Sequence, residues 1–314
     1  MNTTLRSTVE RLGAVFSIAA FLVVLLLLFR NFDLGLLRSW TAIATIGAAC
    51  IMYCASAAVA ALAWILIVRS CALEPVRRLP LLRIFLVVQV GKYLPGNFAH
   101  FVGQVILAKR QGLSSSLIIF TMFVEMAWFV AIAALLGVAS LATIGSQYLG
   151  RIPQIPSGWF LGFLVLLTLL APLAAHRIFE RLALWWSDRK GIQVSNFRQP
   201  DARTMALVVP LLVINYLLAG WILQLLATNV FARDTGGIFL LSGIFALAWV
   251  VGFITPGSPA GLGVREVILI SATTPIYGID TAVGVSALLR LVTVAGDGLA
   301  FLVAAVMGRI NRFY

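Results

Sequence analysis

The sequence predicts an all-α polytopic membrane protein: about six transmembrane helices plus two re-entrant helical hairpins, forming an inverted repeat within one integral membrane domain, residues 1–314. Three observations predict it. Hydrophobic residues make up 61% of the chain and charged residues 11%, with a mean hydropathy of +1.04, against about 25% charged in a soluble domain. Charge-free stretches recur at Leu12–Phe29, Ser39–Val68, Gln111–Val124, Ile152–Ala175, Thr204–Ala232 and Thr235–Val264, several of them reaching the roughly 20 apolar residues of a helical crossing. Two further apolar regions are broken by Pro-Gly clusters, and similar segments follow each break.

The elements follow in order. The first apolar run, 12–29, follows Arg6 and Arg11 as a signal peptide would. It ends in Phe29-Arg30-Asn31 with no small-residue cleavage site, so it reads as a retained helix. Full crossings are expected at 40–68, 114–145, 157–176, 204–231 and 281–306. Leu81–Lys109 begins and ends on basic loops and is broken at Leu94-Pro95-Gly96-Asn97. Its arms span roughly 20 Å of helix, short of the roughly 30 Å hydrocarbon core. Gly237–Thr274 is likewise broken, between Thr255 and Gly263. Both read as re-entrant hairpins, since irregular backbone at that depth survives only against protein or a watery cavity.

After the first break come Gln104-Val-Ile-Leu and Gly112-Leu-Ser114; after the second, Glu266-Val-Ile-Leu and Gly278-Ile-Asp280. Ser114 and Asp280 would cap the long helices that follow. Each half, about 1–146 and 157–314, holds two crossings, a hairpin and a crossing. An odd number of crossings inverts the second half relative to the first, an arrangement found in transporters.

The net charge of +12 orients the chain rather than marking a nucleic-acid binder. With a cytoplasmic N-terminus, 16 of the 23 Lys and Arg fall on inside segments and four outside (Arg30, Arg38, Arg151 and Arg233), as the positive-inside rule requires. Both termini are then cytoplasmic and the expected location is the cell inner membrane. Arg177–Ile192 places Ile178, Phe179, Leu182, Trp185 and Trp186 on one face and reads as a helix lying in the interface. Cys50, Cys54 and Cys71 imply apolar packing and no disulfide frame.

Six ionisable residues sit inside apolar runs: Lys92, Arg265, Arg290, Glu125, Glu266 and Asp297. Each costs about 3 kcal/mol on insertion scales unless partnered or wetted. Pairing alone is the conservative reading; pairing around a transport site is the functional one. Half-helices starting near Asn97 and Gly263 would aim N–H groups at the midplane and favour an anion, while Gly96, Gly257, Gly261 and Gly263 permit close backbone approach. The repeat places Glu125 and Arg290 at nearly equivalent points of two long helices, so they are expected to face each other and to couple a proton to transport, with Asp297 as a second candidate. His100 could line the cavity. No metal constellation or cofactor motif is present, and the expected cofactor is none.

At Gly91-Lys-Tyr-Leu-Pro-Gly-Asn-Phe-Ala-His-Phe-Val-Gly103 and Pro256-Gly-Ser-Pro-Ala-Gly-Leu-Gly-Val-Arg-Glu266 the chain resembles the lysylphosphatidylglycerol-synthase transmembrane region, or flippase-like, family. The resemblance implies translocation of a lipid, either an anionic phospholipid or a polyprenyl-phosphate-linked glycan, alongside a partner synthase or glycosyltransferase. By motif match it implies a substrate site at Lys92, Asn97, His100, Gln104, Arg265, Glu266 and Arg290. The backbone of the breaks is carried by Pro95, Gly96, Pro256, Gly257, Gly261 and Gly263. Where the family has a tighter Pro-Gly-Gly run, this chain reads Pro256-Gly-Ser-Pro-Ala-Gly261. No cytosolic aminoacyl-transfer domain accompanies these motifs.

Two further classes compete with a lipid flippase: an ion-coupled carrier of a small water-soluble anion and an intramembrane lipid-modifying enzyme. No paired carboxylates at active-site spacing, His-Asp pair or nucleophile elbow supports the enzyme. The hairpin reading predicts that single cysteines at Asn97 and Ser258 label with an impermeant reagent from opposite faces of the membrane; fast labelling of both from one face contradicts it.

Overall fold

The computed structural model of the chain describes residue 35 and residues 39–93, 98–147, 197–255 and 259–310. The expected crossings at 12–29 and 157–176 and the interfacial helix 177–192 lie outside these residues. The described residues form eight α-helices and no strand. They are α1 (Trp40–Cys71), α2 (Arg78–Val88), α3 (Ala99–Lys109), α4 (Ser115–Gln147), α5 (Ala202–Phe231), α6 (Gly237–Ile254), α7 (Val264–Tyr277) and α8 (Ile279–Ile310). Short 3-10 turns occupy Gln89–Tyr93 and Pro259–Gly261.

Five helices, α1, α4, α5, α6 and α8, are long and apolar enough to cross a membrane. Their ends carry ordinary chemistry. Ser39 Oγ accepts from Ala42 N at 3.1 Å to start α1, and Ser114 Oγ accepts from Leu117 N at 3.3 Å to start α4. Asp201 accepts from Thr204 N at 3.3 Å at the head of α5. Its carboxyl is held below the ordinary range by hydrogen bonds from Thr204 and Ser70. Asp280, expected as a cap, lies inside the first turn of α8.

Side-chain contacts define the two ends of the bundle. At one end Ser70 Oγ donates to Asp201 Oδ1 at 2.8 Å, Arg198 N donates to Cys71 O at 2.8 Å, and Phe197 stacks on Phe120 at 4.6 Å. The tail of α1 and the heads of α4 and α5 therefore share this end. Arg83 of α2 packs on Gly308 near the tail of α8, which puts α8's tail there as well. At the other end Asn229 Nδ2 donates to Thr45 Oγ1 at 3.3 Å, Ser140 Oγ to Leu240 O at 3.0 Å, and Tyr277 OH to Thr235 O at 2.9 Å.

The hairpins follow from this map. The α2–α3 arms pack on each other, and Gly91 lies so close to His100 that a Cβ there would stand 2.9 Å from His100 N. This hairpin opens at the first end. The α6–α7 hairpin opens at the second, because Tyr277 returns to Thr235 beside the head of α6. The described flanks of the two breaks come together inside the bundle, where Arg290 of α8 donates to Ala260 O at 3.2 Å and lies over the Tyr93 ring at 5.6 Å.

One expectation needs refining. The first hairpin has two short arms of 11 residues each, but α6 runs 18 residues, about 27 Å. It is nonetheless one arm of a hairpin, because the chain reverses where Gly252 packs on Gly261.

Without a hydrophobic drive between helices in lipid, close backbone packing holds them together. Gly243 of α6 lies against Ser140 and Leu136 O of α4, and Gly220 of α5 against Ser242 and Ile238 O of α6. Buried hydrogen bonds cross-tie the same helices: Trp64 Nε1 to Thr121 Oγ1 at 3.2 Å and Tyr216 OH to Phe129 O at 3.0 Å. Buried apolar residues from both halves form one continuous cluster. A methyl group at Gly243 has backbone in its way, so Gly243→Ala should cost about 1–3 kcal/mol by overpacking, read as a lower melting temperature in detergent, whereas Gly47→Ala, with open space around its Cα, should not.

Candidate functional site

Beside the two hairpin tips, residues of all eight helices line a cavity of about 190 Å³. Its wall carries Lys92, His100, Gln104, Glu125, Gly261, Arg265, Arg290 and Asp297, all singled out in the sequence. Glu266 lies behind the wall. Asn97, Pro95, Gly96, Pro256 and Gly257 lie outside the described residues.

The first tip supplies Lys92 and Tyr93 from the 3-10 turn. Lys92 Nζ reaches Asp297 Oδ2 at 2.7 Å and donates to Tyr53 OH at 3.0 Å; Tyr93 OH donates to Asp297 Oδ2. Asp297 is 1% exposed, and its charge is balanced locally by Lys92 and by the hydrogen bond from Tyr93. Gly296 leaves room for the Tyr53 ring, which a Cβ would meet at 2.6 Å, and so lets Tyr53 reach Lys92.

The second tip is organised by Glu266. Gly263 takes φ +80 at the head of α7, and its N–H donates to Glu266 Oε2 at 2.6 Å, a cap that holds the carboxylate at the tip. Glu266 Oε1 then meets Arg290 Nε at 3.5 Å. This is where the expected Glu125–Arg290 pairing departs from the structure. Both residues line the cavity, but Arg290 is paired with Glu266, because the head of α7 already places a buried carboxylate beside α8. Arg290 and Asp297, seven residues or about two turns apart on α8, face the same cavity.

With two pairs made, two ionisable groups remain. Arg265 is 9% exposed, lies 4.4 Å over the Phe245 ring, and its Nη2 has no hydrogen-bond partner. Among the described residues it forms no ion pair. Glu125 is 5% exposed and its Oε1 has no partner. His100 Nδ1 and Gln104 Nε2, one turn apart on α3, are buried and unpartnered too. A buried polar atom left unpaired costs about 1–3 kcal/mol, and four such atoms on one cavity wall are what a polar ligand or water would satisfy.

The rest of the wall is aromatic and apolar: Phe85, Phe101, Met126, Phe129, Trp249 and Phe253. Sequence reasoning missed Tyr53, Tyr93, Asn215 and this aromatic face. Tyr93 stands beside Lys92 in a motif already noted, and Asn215 is an amide inside a charge-free helix, which was a usable signal. Asn215 Nδ2 donates to Ser56 O and Oγ at 2.8 Å, tying α5 to α1. Nothing in the local pattern marked Tyr53.

The family model described as the lysylphosphatidylglycerol synthase TM region matches residues 13–300 of this sequence. The chain belongs to that family. A comparison with curated proteins finds no match. Membership makes this a multi-pass membrane protein related to lipid handling, and both motifs that carried the resemblance contribute to the cavity: Lys92, His100, Gly261 and Arg265 line it.

The geometry divides the cations of this lysylphosphatidylglycerol synthase TM region protein. Lys92 is a structural partner of Asp297, and Asp297→Ala should cost about 3–5 kcal/mol by leaving Lys92 buried and unpaired. The double change Lys92→Met/Asp297→Leu should cost much less than the sum of the single changes, and thermal melting of the four proteins measures the coupling.

Proposed function

We propose that this protein is a lipid flippase of the inner membrane, moving an anionic lipid or lipid-linked substrate by alternating access between its two hairpins. The observation that carries this reading is Arg265, a buried cation facing the cavity with an unpartnered Nη2 and no counter-ion among the described residues. A cation in a low-dielectric site is stable only when compensated. Here the missing partner is the phosphate of the substrate.

The lining favours a lipid headgroup. The lining mixes unpaired hydrogen-bonding atoms of His100, Gln104 and Glu125 with aromatic rings. A volume of about 190 Å³ is below that of a drug-sized pocket, about 300–1,000 Å³. It suits a headgroup whose acyl chains stay in the bilayer. Hairpins that open at opposite ends and meet at their tips support the inverted-repeat mechanism. Arg69, Arg77, Arg78, Arg83, Lys109, Arg110, Arg198 and Arg203 gather at the end where α2–α3 opens; by the positive-inside rule that end is cytoplasmic. On this reading the chain makes and breaks no covalent bond, and a separate synthase or glycosyltransferase supplies the lipid.

The small volume also suits a carrier of a free anion, so the assay must separate the two. Purified protein in vesicles is given a fluorescent phosphatidylglycerol, and an impermeant quencher reads its movement; labelled inorganic phosphate is run in parallel. Arg265→Gln should lower lipid movement at least about tenfold, the weight of one charged hydrogen bond, with the melting temperature kept. Phosphate uptake without lipid movement replaces the flippase by the carrier, and undiminished lipid movement in Arg265→Gln removes Arg265 from the site.

A further inference from the structure

The two hairpins do not touch the rest of the bundle independently. Asp297 holds the first tip through Lys92 and Tyr93, and Arg290 holds the second through Ala260 O and Glu266. Both holders stand on one face of α8, two turns and about 10 Å apart. Tyr93 bridges that gap: its hydroxyl donates to Asp297 Oδ2 while its ring lies 5.6 Å beneath the Arg290 guanidinium. A residue of the first hairpin thus contacts both the anchor of its own tip and the anchor of the other.

Each contact sits where the backbone can give way. Tyr93 ends a 3-10 turn with no buried residue, Gln89–Tyr93, which continues directly from α2 and whose poorer hydrogen-bond geometry holds it less firmly than α-helix. On the other tip, Ala260 takes φ 49 and ψ 30, a left-handed conformation that opposes a side chain. The Arg290 bond to its carbonyl helps to hold it there.

We propose that Tyr93 is the interlock of the transport cycle, a positioning residue that ties release of one hairpin tip to retention of the other. When the first hairpin moves, Tyr93 leaves Asp297 and takes its ring from beneath Arg290. Arg290 is then held by Glu266 and Ala260 alone, and the second tip stays shut. When Tyr93 is seated, the first tip is latched and the ring carries part of the guanidinium charge, so Arg290 can yield the second tip. The cavity is thereby open to one side at a time. This rests on the alternating-access reading above, but its central readout does not require lipid movement.

The test uses the full chain in vesicles, with Cys50, Cys54 and Cys71 replaced by alanine and one cysteine placed at cavity-lining Ala57. An impermeant thiol reagent is applied from each face, and passive iodide entry is followed with an entrapped dye. Tyr93→Phe keeps the ring and removes the hydroxyl; Tyr93→Ala removes both. The expected result is labelling from both faces and iodide leak raised about tenfold in Tyr93→Ala, and by a smaller factor in Tyr93→Phe, as loss of a hydrogen bond to a charged group implies. A purely structural role would lower the melting temperature and leave one-sided labelling and leak unchanged, and that result overturns the proposal. Should Tyr93→Ala not fold, Tyr93→Phe decides alone by the same criterion. If Arg265→Gln leaves lipid movement intact while the Tyr93 variants leak, the substrate site is refuted and the interlock stands; lipid movement lost in Arg265→Gln without any Tyr93 effect gives the reverse.

Discussion

A charge far from water is stabilised by an opposite charge within a few ångströms, and in this chain one helix supplies a member of each of the two ion pairs at the hairpin tips. Helix α8 carries Arg290 and Asp297 on one face, where the two broken segments converge. The Lys92–Asp297 pair anchors one tip and the Arg290–Glu266 pair the other. Non-helical backbone inside a membrane protein is stable only where its polar groups are satisfied. The second break satisfies part of that need through side chains: Arg290 of α8 donates to Ala260 O, and Glu266, itself paired with Arg290, accepts from Gly263 N. The two ion pairs thus fix one flank of each break to α8, beside the cavity.

The same accounting separates structure from function among the buried charges. Three cations and two carboxylates line the cavity, with Glu266 just behind. Once the two pairs are drawn, Arg265 and Glu125 are left over. A buried ion pair contributes little net stability, while its half-removal is expensive, so Lys92 and Arg290 are needed where they stand whatever the substrate. Arg265 is different in kind. Its stem is packed between Gly252 and Gly261 and its guanidinium on Phe245, which fixes the group without neutralising it.

Much of the fold was legible in the sequence because hydropathy and Pro-Gly punctuation are local signals. The long helices at 40–71, 115–147, 202–231 and 279–310 fall within a few residues of the expected crossings at 40–68, 114–145, 204–231 and 281–306. The unequal arms of the second hairpin were less legible: α6 continues to Ile254 because nothing interrupts its apolar run before Thr255. The cavity residues were largely visible as charges out of place, but their partners were not. Glu125 and Arg290 looked matched by repeat register, whereas pairing is decided by which carboxylate the chain brings near first, and the cap at Gly263 brings Glu266. Tyr53, Phe245 and Trp249 carry no sequence signal, since an aromatic in a membrane helix looks the same whether it faces lipid, core or cavity.

Helix α3 is thinly held. Only Gln104 and Ala108 of its 11 residues are buried, while Phe98, Val102 and Ile106 form an exposed stripe along its outer side. Its inner side meanwhile contributes His100 and Gln104 to the cavity. One wall of the site is therefore a helix with its back to the acyl chains. Any displacement of that wall changes how much apolar surface meets lipid and at what depth, so the thickness and stiffness of the bilayer enter the free energy of the movement directly. On the alternating-access reading the surrounding membrane is a mechanical component of the protein, and the rate of that movement differs between thin and thick bilayers with no change in any protein contact.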